Sequence, residues 1–358
     1  MVWTKQRLNN LFFIIGCAAC VIMLLTFDVS FSELWQHLTH AGYWLIPIIG
    51  VWLLVYGLNA LAWQAIIKGN CRDNTPTPSP NTQHPTPKLP SFWRIYRLTI
   101  TGYALNYATP VGGLGGEPYR IMELSKDIDK QHATSSVILY AMMHFFAHFW
   151  FWFVSIFIYL ALAAVGDMPM TTAIGIILAV IVAFCLLAFY IFSKGYRNGL
   201  VIYVLGLIGK IPFLRGWSRR FRGNHAAALR NIDEQIASLY GQDTKAFYSS
   251  LLLEFASRVV QSSEVMFMLL LFGIDCGGGF SGLLLTYLHS ILIVSFTTLF
   301  ANLIGFLPMQ IGVQEGGFVI SIAALGLSAA VGIFVSIICR VREIIWIAIG
   351  MMLMKIKS

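Results

Sequence analysis

The chain has 358 residues, of which 58% are hydrophobic and only 11% charged, whereas soluble domains average about 45–50% apolar and about 25% charged residues. A soluble core cannot hide this much apolar surface, but a lipid bilayer can, so the pattern excludes an ordinary soluble enzyme. The formal net charge of +8 does not point to nucleic acid, because Lys and Arg sit in connections between long apolar runs, as cytoplasmic membrane loops do.

A spanning helix needs about 20 mostly apolar residues, within a range of about 17–25. In chain order, Lys5 and Arg7 precede the first such run, 11–27. Ile14-Ile15-Gly16-Cys17 loosely resembles a lipoprotein cleavage box, but the run continues past it and no A-x-A site follows, so a retained helix is expected. Cys17 and Cys20 form a C-x-x-C inside this run and read as packing residues. Four of the six cysteines lie in apolar runs, and no disulfide framework is visible. The second span is 43–67. A connection with Lys68, Arg72, Lys88, Arg94 and Arg97 follows, and its stretch 75–90 alternates Pro with Thr, Ser and Asn, which predicts a PPII-like spacer.

The stretch 98–116 is apolar but broken by Pro110, Gly112, Gly113, Gly115 and Gly116, with Arg120, Lys126 and Lys130 after it. Spans at 132–165 and 170–193 come next, the former long enough to tilt. The segment 194–246 is basic, and its part 200–214 reads as interfacial, lying on an anionic leaflet. A span at 247–272 precedes a second broken stretch, 281–326, interrupted by Gly305, Pro308, Gly312, Gly316 and Gly317. The last span is 329–354, followed by Lys355 and Lys357.

The connections 28–42, 166–169 and 273–280 contain no Lys or Arg. The positive-inside rule then has one solution, with both termini cytoplasmic and the two broken stretches dipping in from opposite faces. The expected fold is an all-α polytopic membrane protein with about six spanning helices and two re-entrant Pro/Gly-broken hairpins in inverted repeats. Repeat one covers about 1–165 with hairpin 98–116, and repeat two about 170–358 with hairpin 281–326, all within a single transmembrane domain. Interrupted segments at corresponding places in two halves point to a transport site. The stretches from Pro110 to Glu117 and from Pro308 to Glu315 share a P-x6-E spacing.

Irregular backbone at membrane depth persists only where protein buries it or a cavity wets it. Its free amides favour anions such as a lipid phosphate. Glu117 and Glu315 end the two stretches; each could couple to protons, orient a cationic headgroup, or satisfy loose amides. On the helix 247–272, Ser250, Glu254, Ser257, Arg258 and Gln261 share a face, and Glu254 and Arg258 are spaced to pair. On the last helix Ser336, Arg340 and Glu343 share a face, while Arg342 points elsewhere. Three unpartnered intramembrane arginines would cost roughly 8–10 kcal/mol, comparable to a whole domain's stability, so they need partners or a polar cavity. His144 and His148 are spaced i, i+4 but lack a third ligand, so they read as packing and hydrogen-bonding residues. No metal or cofactor is expected, and no phosphate-binding loop for a nucleotide is present.

The run Gly102-Tyr103-Ala104-Leu105-Asn106 with Pro110, Gly112, Gly113, Gly115, Gly116, Glu117 and Arg120 resembles the flippase-like membrane domain of lysylphosphatidylglycerol synthases. Pro308, Gly312, Glu315 and the late Arg340 extend that resemblance over nearly the whole chain. It implies a lipid translocase module for an anionic phospholipid, a modified phospholipid or a polyprenyl-linked lipid, in the inner (cytoplasmic) membrane of a bacterium. The sequence ends at Ser358 without a soluble aminoacyl-transferase domain, which speaks against lysine transfer by this chain. Gly115, Gly116, Glu117, Arg120 and Glu315 would line a headgroup path. Arg258 and Arg340 would attract a phosphate, and Glu254 or Glu343 would hold them in its absence. Two rivals stand beside this reading: an intramembrane headgroup transferase, and a scaffold for a partner glycosyl- or acyltransferase.

Overall fold

A computed structural model describes residues 42–72, 89–108, 115–212, 214–242, 244–274, 276–303 and 313–356. The first expected span, residues 75–88 of the Pro-rich spacer, and Pro110, Gly112, Gly113, Gly305, Pro308 and Gly312 lie outside them. Among the described residues the structure is all-α, with no strand. After a 3-10 turn at Gly42–Trp44, the helices are α1 Leu45–Arg72, α2 Phe92–Ala108, α3 Glu117–Leu124, α4 Lys130–Ala164, α5 Thr172–Asn198, α6 Leu200–Ile208, α7 Arg215–Asn224, α8 Ala226–Gln242, α9 Thr244–Leu271, α10 Gly279–Leu303, α11 Val313–Ala324 and α12 Ala329–Met354. The chain is a multi-pass membrane protein.

Local chemistry sets several helix boundaries. Asp129 caps α4 by accepting from the amides of Gln131 and His132, Thr171 caps α5, and Ser328 caps α12, each supplying an acceptor to otherwise orphaned amides. Pro118 sits in the first turn of α3, where its missing N–H costs nothing.

Five expected spans coincide with α1, α4, α5, α9 and α12 to within a few residues. The broken stretches differ more. Helix α2 starts at Phe92 rather than near 98, because the arginines of its first turns find partners. Arg94 pairs with Glu123 and Asp127, each at 3.1 Å, and Arg97 donates to the Ile356 carbonyl. In the second stretch, α10 has 25 residues and is apolar enough to cross a membrane. At about 1.5 Å per residue it is about 38 Å long, the reach of a full span rather than of a half-length hairpin arm. Helix α11, with 12 residues, reaches only about 18 Å.

Helices α1 and α9 form the central pair. Around them, α2 packs on α1 as α10 packs on α9, α3 on α4 as α11 on α12, and α2 on α12 as α10 on α4. Only 11% of the apolar window of α5 is buried, against 44% for α1 and 50% for α10, so α5 is the lipid-facing edge. The basic segment 194–246 folds into α6, α7 and α8. Both carboxylate oxygens of Asp233 on α8 accept from the first turn of α6, at 2.7 Å from the Val201 amide and 3.0 Å from that of Ile202.

Candidate functional site

The first break is closed by its own motif. The Asn106 side chain at the end of α2 accepts from the Gly116 amide at 2.6 Å. Arg120 then folds back from α3 onto α2. Its Nη1 donates to Glu117 at 3.0 Å and its Nη2 to the Thr99 carbonyl at 3.2 Å. The guanidinium is only 1% exposed and lies against the rings of Tyr103 (4.8 Å), Tyr140 (5.3 Å) and Trp63 (5.7 Å), a cation–π cage. Glycine is required at two points. A Cβ on Gly102 would strike the Arg120 guanidinium, and one on Gly116 would strike the Gly102 carbonyl.

Beyond Tyr103 lies a hydrogen-bonded chain between α2, α4 and α9. The Tyr103 hydroxyl is 2.9 Å from His144 Nδ1, which is itself 2.9 Å from Glu254 Oε2. Arg258 Nη2 is 2.6 Å from His144 Nε2. A carboxylate only accepts and a guanidinium only donates. Arg258 Nη2 lies equally near His144 Nδ1, at 2.7 Å, so the carboxylate and the guanidinium meet on the same imidazole. The direct pair between Arg258 and Glu254 is long, at 3.8 Å, and Arg258 also donates to Gln261 at 3.3 Å. Several buried atoms here have no hydrogen-bond partner: Glu117 Oε2, Arg120 Nε, Glu254 Oε1 and Arg258 Nε.

A second cluster joins α1, α9, α11 and α12. Arg340 donates to Glu315 at 2.7 Å and to Glu343 at 2.8 Å. Arg342 grips Glu264 through Nε at 2.8 Å and Nη2 at 3.3 Å, with the Trp52 ring 4.0 Å beneath its guanidinium. Trp52 also donates to Glu264 at 2.9 Å, and Gln314 donates to Glu343 at 3.2 Å. Two arginines thus face three carboxylates, and Glu315, 32% exposed, is the open member.

The structure therefore brings Asn106, Gly116, Glu117 and Arg120 together, and close to them Glu254 and Arg258. It brings Glu315, Arg340 and Glu343 together in the second cluster. Gly115 lies buried just ahead of α3, while the remaining motif positions, Pro110, Gly112, Gly113, Pro308 and Gly312, are outside the described residues. His144, read from sequence as a packing and hydrogen-bonding residue, does hydrogen-bond, but its partners, the charged Glu254 and Arg258, were not foreseen. Sequence reasoning missed Glu264, the partner that Arg342 needs. It also passed over the stripe on α1 that serves both clusters, whose signal was available: Trp52, Tyr56, Asn59 and Trp63 recur at helical spacing and are all buried. Tyr56 lies between Trp52 and Tyr103 with tilted rings whose centroids are 5.4 and 5.5 Å away, and Asn59 donates to the Tyr103 hydroxyl.

Among known families, the one described as "Lysylphosphatidylglycerol synthase TM region" matches residues 13–350. No curated protein matches the chain, and no solved structure does.

Proposed function

Because the chain belongs to the lysylphosphatidylglycerol synthase TM-region family, its function is membrane lipid-related, and we propose that it translocates a lipid with an anionic headgroup between leaflets. Anionic phospholipids, modified phospholipids and polyprenyl-linked lipids are the candidate classes. The observation that carries this reading is Arg258. It is a buried guanidinium with a distant carboxylate and an Nε atom without a partner, beside other unsatisfied polar atoms. Buried polar atoms left unpaired are costly, and an incoming phosphate supplies the acceptors that Arg258 and Arg120 lack. The exchange-related packing of α1–α4 and α9–α12 supports an inverted repeat around this site. The charge pattern supports an inner membrane with both termini cytoplasmic.

The test is leaflet exposure in proteoliposomes. Tail-labelled anionic, zwitterionic and polyprenyl-phosphate lipids are offered separately, and a membrane-impermeant quencher reads their arrival in the outer leaflet. Accelerated exposure of one anionic class, lost in Arg258→Gln, is expected. Headgroup turnover by the purified protein without leaflet exchange would instead establish an intramembrane transferase. No acceleration of any class by folded protein contradicts translocation.

A further inference from the structure

A second constellation lies away from the charge clusters, where the α4–α5 turn meets the start of α10. Cys276 Sγ is 3.3 Å from His289 Nδ1, and His289 Nε2 is 2.6 Å from Asp167 Oδ2. The carboxylate only accepts, so Nε2 carries the imidazole proton and the Nδ1 lone pair faces the thiol. This is the nucleophile–base–orienter arrangement of thiol acyl transfer. A shared metal ion fits poorly, because the two imidazole nitrogens turn to different partners and Sγ and Oδ2 sit on opposite sides of the ring.

The surroundings fit a reactive site. The Cys276 amide donates to Thr286 at 3.2 Å, and the Thr286 hydroxyl is tied to the Gly282 carbonyl at 2.9 Å, which fixes the thiol over the first turns of α10. Gly277, Gly278 and Gly279 follow with φ of 137°, 68° and 65°, a backbone that L side chains rarely adopt. A Cβ on any of them would meet nothing within 4 Å, so space opens beside the sulfur. Cys185 and Cys339 are buried, whereas Cys276 is only half-buried. Phe280, Leu283, Leu284 and Met170 are exposed nearby along the chain, an apolar rim suited to acyl tails. Both connections that build the site, 166–169 and 273–280, lack Lys and Arg, the pattern of the face opposite the cytoplasm.

We infer that Cys276 is a catalytic nucleophile that takes an acyl group from a glycerophospholipid ester at this membrane face. Sγ attacks the ester carbonyl while His289 Nδ1 takes the thiol proton. The new S–C bond replaces the C–O bond to glycerol. The same proton passes from Nδ1 to the departing glyceryl oxygen, so the products are a Cys276 thioester and a lysophospholipid. Asp167 is the positioning residue that holds the imidazole tautomer.

The test places the full chain in phosphatidylethanolamine–phosphatidylglycerol vesicles whose lipids carry alkyne-tagged acyl chains. Site-mapped mass spectrometry then reads the Cys276 peptide. A tagged adduct that neutral hydroxylamine removes is expected. It is absent in Cys276→Ala and reduced on the order of 100-fold in His289→Ala, the usual scale of a general base. Iodoacetamide alkylation of Cys276 slows in His289→Ala as well. Asp167→Asn gives an intermediate yield, and it carries the same comparison if His289→Ala does not fold. The inference is overturned if wild-type Cys276 acquires no adduct, whatever its alkylation rate. It is equally overturned if the adduct forms in undiminished yield in whichever of the two variants folds.

Discussion

The two charge clusters use the same residue types and reach different degrees of satisfaction. In the cluster around Arg342 and Arg340, each guanidinium is gripped at two points by carboxylates at 2.7–3.3 Å, and Arg342 Nη1, 3.8 Å from Glu343, is the donor left over there. In the cluster around Arg258 and Arg120, each guanidinium has one carboxylate, one of them at 3.8 Å, and buried donors and acceptors are left over. A fully paired buried network rigidifies a fold, while a partly paired one is costly unless a ligand or water completes it. Under the proposed function, the difference would separate a staple from a site. Arg340, expected from sequence to draw in a phosphate alongside Arg258 and to be held by Glu343 otherwise, pairs with Glu343 and also with Glu315.

This contrast can be broken by substitution. The largest effect on stability is expected for Glu264→Leu, which strands Arg342 over the Trp52 ring. Removing one partner of a buried pair costs about 3–5 kcal/mol, read as a drop in thermal unfolding temperature in detergent, and the double variant with Arg342→Met should recover most of it. An equal loss in Arg258→Gln would erase the distinction between the clusters. Next, Gly102→Ala pushes the Arg120 guanidinium out of its cage, and overpacking of this kind costs about 1–3 kcal/mol; Gly116→Ala should match it, since it meets the Gly102 carbonyl. Third, His144→Phe removes the shared link between Glu254 and Arg258, so transport should fall at least about tenfold, corresponding to about 1.4 kcal/mol, with little change in unfolding.

The smallest effect concerns the cap of α4. Asp129→Ala should cost about 1 kcal/mol. Burial pushes the Asp129 carboxyl up, but the His132 side chain and the amides of His132 and Gln131 outweigh it and hold the carboxyl below its usual range. The cap's contribution is therefore present above the ordinary carboxylate range and is lost as pH falls through the lowered folded value. Acid unfolding of the wild type and Asp129→Ala should converge there.

Sequence patterning carried much of the fold because hydrophobic run length sets membrane helices directly. It located α1, α4, α5, α9 and α12, while the Pro and Gly residues at 110–113 and 305–312 lie outside the described residues. It gave the second stretch as a hairpin over 281–326 without foreseeing that α10 alone would run for 25 residues. It also placed Arg94 and Arg97 in a connection, because their partners Glu123, Asp127 and the Ile356 carbonyl are distant in sequence. The motif from Asn106 to Arg120 was legible as a unit, but the Arg120 cage also draws on Thr99, Tyr103, Tyr140 and Trp63. Glu264 with Arg342, and His144 with Arg258, are 78 and 114 residues apart. Such pairings depend on how helices pack rather than on any local spacing.

The central claim is that the loosely paired cluster is the headgroup site and the tightly paired one is a staple. The most direct measurement is leaflet exposure of the anionic lipid class that the wild type moves, comparing Arg258→Gln with the double variant Glu264→Leu, Arg342→Met in the same vesicles. The account predicts at least about a tenfold loss for Arg258→Gln with unchanged unfolding, and near wild-type transport for the double variant. Wild-type transport by folded Arg258→Gln, with transport abolished in a folded double variant, would contradict it and move the site to the second cluster.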